Sequence, residues 1–140
     1  MIRITRDDFS VDEELGRIKK RSVGGLVTFV GTVRDNSEAG LVESMEIEVY
    51  PEMAEVQLAA IRVEALEKFE VENILIVHRY GDLSVGDNIV LVAVSAGHRE
   101  AAFDACKYVI DELKKRAPIW KREHTPSGAH WVEVGRPDED

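Results

Sequence analysis

An α+β fold is what this chain predicts: one domain in which a mixed or antiparallel sheet is packed by two long helices. Three observations carry that reading. A length of 140 residues with 44% hydrophobic content suits one packed core and is short for two. Two stretches, Met53–Phe69 and Arg99–Arg116, repeat apolar residues at helical spacing. The strand-like runs do not alternate strictly with helices, as a doubly wound sheet would require.

In chain order, Ile2–Thr5 reads as a first strand. Ser10-Val11-Asp12-Glu13 then has the form of a capping box, opening a short helix with Leu15 and Ile18 as its apolar positions. Gly24-Gly25 breaks the chain before a β-rich run, Leu26–Arg34, in which Val27, Phe29, Gly31 and Val33 share one face. Asp35–Gly40 is polar and loop-like. Glu43–Tyr50 alternates Met45, Ile47 and Val49 with Glu46 and Glu48, as a strand with one wet face does. In the first long helix Met53, Val56, Ala60, Val63 and Leu66 form the predicted core stripe. Ile74–Val77 and Ile89–Val94 read as buried strands, joined by a turn-rich segment from Tyr80 to Asp87. The second long helix turns Ala102, Cys106, Val109, Ile110 and Leu113 inward, and Pro118 forbids its continuation. Beyond it the chain reads as loop, with a short strand at Trp131–Val134. The domain is expected to span residues 1–134, followed by a flexible acidic tail at 135–140.

Composition narrows function. A net charge of −9 argues against a broad nucleic-acid-binding face, which needs clustered cations to neutralise phosphates. No apolar run approaches the roughly 18 residues of a membrane span, and the N-terminus lacks a signal peptide's apolar core, so a cytoplasmic location is expected. One cysteine, Cys106, makes no internal disulfide and sits in a helical apolar stripe, as a buried structural thiol would. His78, His98, His124 and His130 form no metal-ligand pair of the usual helical kind, and no phosphate loop, dinucleotide fingerprint or nucleophile elbow is present. Neither metal nor cofactor is therefore expected.

One segment departs from the acidic balance. Lys107, Lys114, Lys115, Arg116, Lys121 and Arg122 lie within sixteen residues that hold only Asp111 and Glu112 as acids. A local cationic site in an acidic protein suits a small anion; cations closing a helix also complement its dipole. Other basic residues stand at element ends, where sites are commonly built: Arg34 after a strand, and His98-Arg99 between strand and helix. Lys114 falls at the edge of the apolar stripe. There it is either a snorkelling surface lysine or a partly desolvated amine able to act as base or nucleophile. Arg34 and Arg99 read equally as surface ion-pair partners, and His98 as a helix cap.

The strings themselves go further. Phe29-Val30-Gly31-Thr32-Val33-Arg34, Ser95-Ala96-Gly97-His98-Arg99 and Arg116-Ala117-Pro118-Ile119-Trp120-Lys121-Arg122-Glu123 resemble three signatures of the molybdopterin synthase large-subunit family. Gly81-Asp82-Leu83 with Gly86-Asp87, the Tyr50-Pro51-Glu52-Met53-Ala54 turn and Trp131-Val132-Glu133 also fit, so the resemblance covers roughly residues 24–134 in order.

That resemblance implies an α/β-hammerhead type of fold and a sulfurtransferase. Such an enzyme converts cyclic pyranopterin monophosphate to molybdopterin, using the C-terminal Gly-Gly thiocarboxylate of a small ubiquitin-like subunit. It implies a central homodimer with one small subunit at each end. Carried over by position, it makes Lys114 and Lys121 the catalytic lysines. It makes Thr32, Val33, Arg34, His98, Arg99, Lys114, Lys121, Arg122 and Glu123 the substrate-binding set. The alternative from another class is a non-catalytic module that binds a pterin phosphate or small anion.

Overall fold

The computed structural model describes residues 1–132, so residues 133–134 of the strand expected at Trp131–Val134 and the tail at 135–140 lie outside the described residues. Its central sheet is made by the most apolar strands. β6 (Asn73–Arg79) and β8 (Asn88–Ala96) lie side by side in the middle, flanked by β1 (Ile2–Thr5) and β2 (Gly25–Thr32), giving the order β1-β6-β8-β2. Only β1 runs parallel to its neighbour; β6, β8 and β2 pair antiparallel, in the mixed sheet expected.

Both faces of this sheet are covered, which is why β6 and β8 read as continuous apolar runs. Ile74, Ile76, Val92, Val94 and Ala96 pack under the two long helices, α2 (Pro51–Lys68) and α3 (Arg99–Arg116). Leu75, Val77, Leu91 and Ala93 point the other way, onto Phe9 and Ile18 of the segment that forms α1 (Val11–Ile18). The Ser10 hydroxyl accepts from the Glu13 amide at 3.3 Å, the cap the sequence predicts. Val27 and Phe29 join the main core, while Leu26 and Val30 pack on the α1 side.

A second sheet, in the order β10-β9-β5-β7, stands beside the first. It comprises β5 (Ser44–Val49), β7 (Gly81–Ser84), β9 (Ile119–Thr125) and β10 (Gly128–Trp131). Met45, Ile47 and Leu83 face the core, and Glu48 stays exposed.

Four expectations are corrected. The core stripe of α2 is Ala54, Leu58, Ile61 and Ala65; Met53, Val56 and Val63 are exposed and only Leu66 packs against the core. Apolar residues occur on both flanks of this helix, so periodicity alone did not choose between them. The segment after Pro118 is the β9–β10 hairpin rather than loop: the inward positions of β9 include Lys121 and Glu123, and their charge hides the alternation. Residues in the 35–41 region form a small hairpin, β3 (Asn36–Ser37) with β4 (Gly40–Leu41). The turn-rich stretch after Tyr80 contains β7.

Candidate functional site

Two elements bring the predicted lysines together. α3 runs back along the sheet and ends at Arg116; Ala117 and Pro118 turn the chain directly into β9. Lys114 therefore projects from the last helical turn and Lys121 from the third position of the strand. Both, half-buried, line one pocket whose walls are Phe29, Val90, Val92, Ile110, Leu113 and Ile119. Trp120 and Val132 edge it, and among the described residues His78 is its remaining polar member and no carboxylate side chain lines it. An ammonium group against apolar walls is poorly screened, so its field acts strongly on a bound anion.

The corner that joins the two lysine-bearing elements is tied down. Arg116 makes a bidentate pair with Glu64 of α2 at 2.6 and 2.8 Å, and the Tyr108 hydroxyl donates to the same carboxylate at 2.9 Å. These hydrogen bonds, the Arg116 one foremost, hold the Glu64 carboxyl down to about 2.

The remaining predicted residues separate. Lys121 and Arg122 are adjacent in a strand and so face opposite sides of the sheet. Lys121 looks into the pocket; Arg122 lies across the outer face, ion-paired with Glu46 and stacked 5.2 Å from the Trp131 ring. Glu123 is back on the inner side, 6% exposed, and accepts the Ser37 hydroxyl proton at 2.8 Å. It thus ties the β3–β4 hairpin to β9. Val33 is buried in the core and its amide donates to Asp87 O at 3.0 Å; Thr32 and Arg34 on either side of it are exposed. This places Thr32–Arg34 at the same end of the β2–β8 ladder as the pocket, since Thr32 is paired with Asn88.

His98 and Arg99 are at the other end. They follow Ala96, which pairs with Gly25, and seven ladder steps of about 3.3 Å put them roughly 23 Å from the Thr32 end. Measured along α3, Arg99 and Lys114 are fifteen residues apart, about 22 Å. One chain cannot set Arg99 and Lys114 on the same small substrate. His98 is the N-cap residue of α3, but its side chain makes no capping hydrogen bond.

Sequence reasoning missed His78, Phe29 and Trp120 as pocket residues. The sequence pattern places Phe29 only on a strand face shared with Val27, Gly31 and Val33, and it reads the segment holding Trp120 as loop. Only its position in β9, which the pattern of charges concealed, brings Trp120 to the pocket edge. Cys106 is buried as expected, and desolvation pushes its thiol up to about 11. Among the described residues no three His, Cys, Asp or Glu side chains are grouped as a metal site would need. Among the same residues no helix is long and apolar enough to cross a membrane.

An α+β domain that presents two half-buried lysines in an apolar-walled pocket, with no carboxylate among its described lining residues, has the features of a class of protein that takes an anionic ligand beside cationic groups. Comparison with known proteins gives the particular family: the chain belongs to the MoaE protein family, whose model matches residues 4–116. It is 46% identical over 130 residues to the molybdopterin synthase catalytic subunit of Pyrococcus abyssi, covering 93% of this chain and 88% of that one. The Ralstonia nicotianae molybdopterin synthase catalytic subunit is 41% identical over 140 residues, covering 99% and 80%. Among solved structures, the crystal structure of molybdopterin synthase from Staphylococcus aureus matches with a TM-score of 0.88 at 35% identity, covering 94% of this chain and 96% of that chain. The family expected from the sequence strings, and the α+β class, are both borne out.

Proposed function

We propose that this chain is the catalytic subunit of a molybdopterin synthase, a sulfurtransferase of molybdenum cofactor biosynthesis working in the cytoplasm. It takes sulfur from the C-terminal thiocarboxylate of a small ubiquitin-like subunit and delivers it to cyclic pyranopterin monophosphate, building the dithiolene of molybdopterin. The observation that carries this reading is the convergence of Lys114 and Lys121, from a helix end and a strand, on one apolar-walled pocket. The names of the relatives, each the catalytic subunit of such a synthase, agree with it.

The chemistry suits the pocket. Substrate phosphate, the pterin's developing charge and the thiocarboxylate are all anionic, and preorganised cations stabilise charge that grows in the transition state. One lysine acts in proton transfer or in activating the thiocarboxylate carbonyl, and the other orients the substrate. The narrow apolar walls admit a Gly-Gly tail, which has no side chains to exclude. No metal or nucleotide takes part in this scheme, because the sulfur arrives already activated.

The split of the basic residues supports a homodimer. If Arg34, Lys114 and Lys121 of one protomer act with His98 and Arg99, the second pair comes from the partner protomer. A twofold axis across the sheet does this twice over.

The test is in vitro formation of molybdopterin from cyclic pyranopterin monophosphate, omitting each component in turn. Product that requires both this chain and a thiocarboxylated small subunit is the expected result. Substrate binding without product, whatever partner is supplied, would mean a non-catalytic binding module.

A further inference from the structure

The Gly24-Gly25 pair ahead of β2 does not line the lysine pocket, and its two glycines are not equivalent. A Cβ placed on Gly25 meets nothing within 4 Å, whereas one on Gly24 falls 2.2 Å from the Gly97 carbonyl oxygen and 3.1 Å from the Gly97 carbonyl carbon. The obstacle is backbone, which no change of rotamer clears. It is also one-sided, since a Cβ on Gly97 meets nothing within 4 Å. Two backbones touch here, and the missing side chain at position 24 is what lets them.

That contact lies on the route from β8 into α3. The Ser95 and Ala96 carbonyls are pinned, accepting from the amides of Glu72 at 2.7 Å and Gly24 at 2.9 Å. The next carbonyl, that of Gly97, rests against Gly24, and His98 and Arg99 follow at once as the N-cap and first residue of α3. Both side chains are exposed, so the backbone beneath them decides where they stand. A Cβ at position 24 must open the gap by at least about 0.8 Å, from 2.2 to 3.0 Å. A misplacement of about 1 Å in a group that orients substrate can cost about 100-fold in rate. We propose that Gly24 is a positioning residue for sulfur transfer, seating the Gly97 peptide so that His98 and Arg99 meet the substrate. The catalytic purpose rests on the synthase reading; the contact itself does not.

Two measurements test it. In amide 15N spectra, Gly24→Ala should move the signals of Gly97, His98 and Arg99 and leave those of Lys114 and Lys121 in place, and Gly25→Ala, which meets no atom, should move all of them far less. In molybdopterin formation, Gly24→Ala should lower kcat/KM about 10- to 100-fold, most of it through KM. The same change made in a His98→Ala/Arg99→Ala chain should cost no more than about twofold, because the groups it misplaces are already gone. A residue that served only the fold would exact its full factor in both backgrounds, and that result overturns the proposal. So does a Gly24→Ala chain that loses its fold, keeps the wild-type rate, or leaves the Gly97–Arg99 signals unmoved. If the wild type itself transfers no sulfur, the synthase reading falls, and the amide signals still decide the contact.

Discussion

At its first turn α3 carries His98 and Arg99, and at its last Lys114, Lys115 and Arg116. Folding accounts for the second group without help: cations at a helix C-terminus interact favourably with the dipole, and Arg116 also clamps Glu64. The first group gets no such help, because a cation such as Arg99 at a helix N-terminus is disfavoured by about 0.3–1 kcal/mol. His98 gives back no capping hydrogen bond, and both side chains are exposed. Helix stability explains the basic end that forms the pocket and does not explain the basic end some 22 Å away. Residues that the fold does not need, at a place that one chain cannot use, point to a second chain.

Substitutions at the two ends should therefore behave differently, and the largest effect belongs to the pocket. Lys121→Ala and Lys114→Ala should each lower single-turnover product formation by about 10²–10³, with the melting temperature nearly unchanged. Wild-type rates in both would remove these lysines from the chemistry. At the other end, Arg99→Ala should cost about 10- to 100-fold in kcat/KM, through weaker phosphate binding. Its melting temperature should hold or rise slightly, since an unfavourable charge leaves the helix N-terminus. A loss of stability there would mean that Arg99 serves the fold after all.

A smaller effect is expected at the α2–α3 clamp. Glu64 is held down to about 2, below its ordinary value near 4.5. A group depressed in the folded state gives stability that is present above its unfolded value and is lost as pH falls toward its folded one. Glu64→Gln should thus flatten the decline in melting temperature between about pH 4.5 and 2. At neutral pH it should lower that temperature by about 2–4 °C. An unchanged acid limb would show the clamp to be without weight. The least change is expected at Cys106, whose thiol is buried and raised to about 11; it should resist alkylation at neutral pH until the protein unfolds.

Much of this was legible in the sequence where burial and chemistry agree. The two central strands, α1 with its cap and the whole of α3 follow from apolar pattern and punctuation, because those residues are placed by the core alone. The site was legible only in part. Lys114 stood out at the edge of an apolar stripe, but β9 was invisible: its inward residues are Ile119, Lys121, Glu123 and Thr125, and a strand that turns charge inward looks like a loop. The same strand decides that Lys121 enters the pocket while Arg122 turns to Glu46. His78 was unreadable for a different reason. It lies two residues beyond Ile76 in an apolar run, and only the register that sets it against Val90 shows that it faces a pocket. In α2 the sequence offered two apolar stripes, and the choice between them was made by contact with the sheet.

The claim that binds these observations is that the active site takes its lysines from one protomer and His98 and Arg99 from the other. It is tested most directly by mixing Lys121→Ala and Arg99→Ala chains, each poorly active alone, under conditions where protomers exchange. The account predicts recovery toward about a quarter of wild-type activity, because half of a random mixture is mixed dimer and each mixed dimer holds one intact site. No recovery, in a mixture shown to contain mixed dimers, would contradict it.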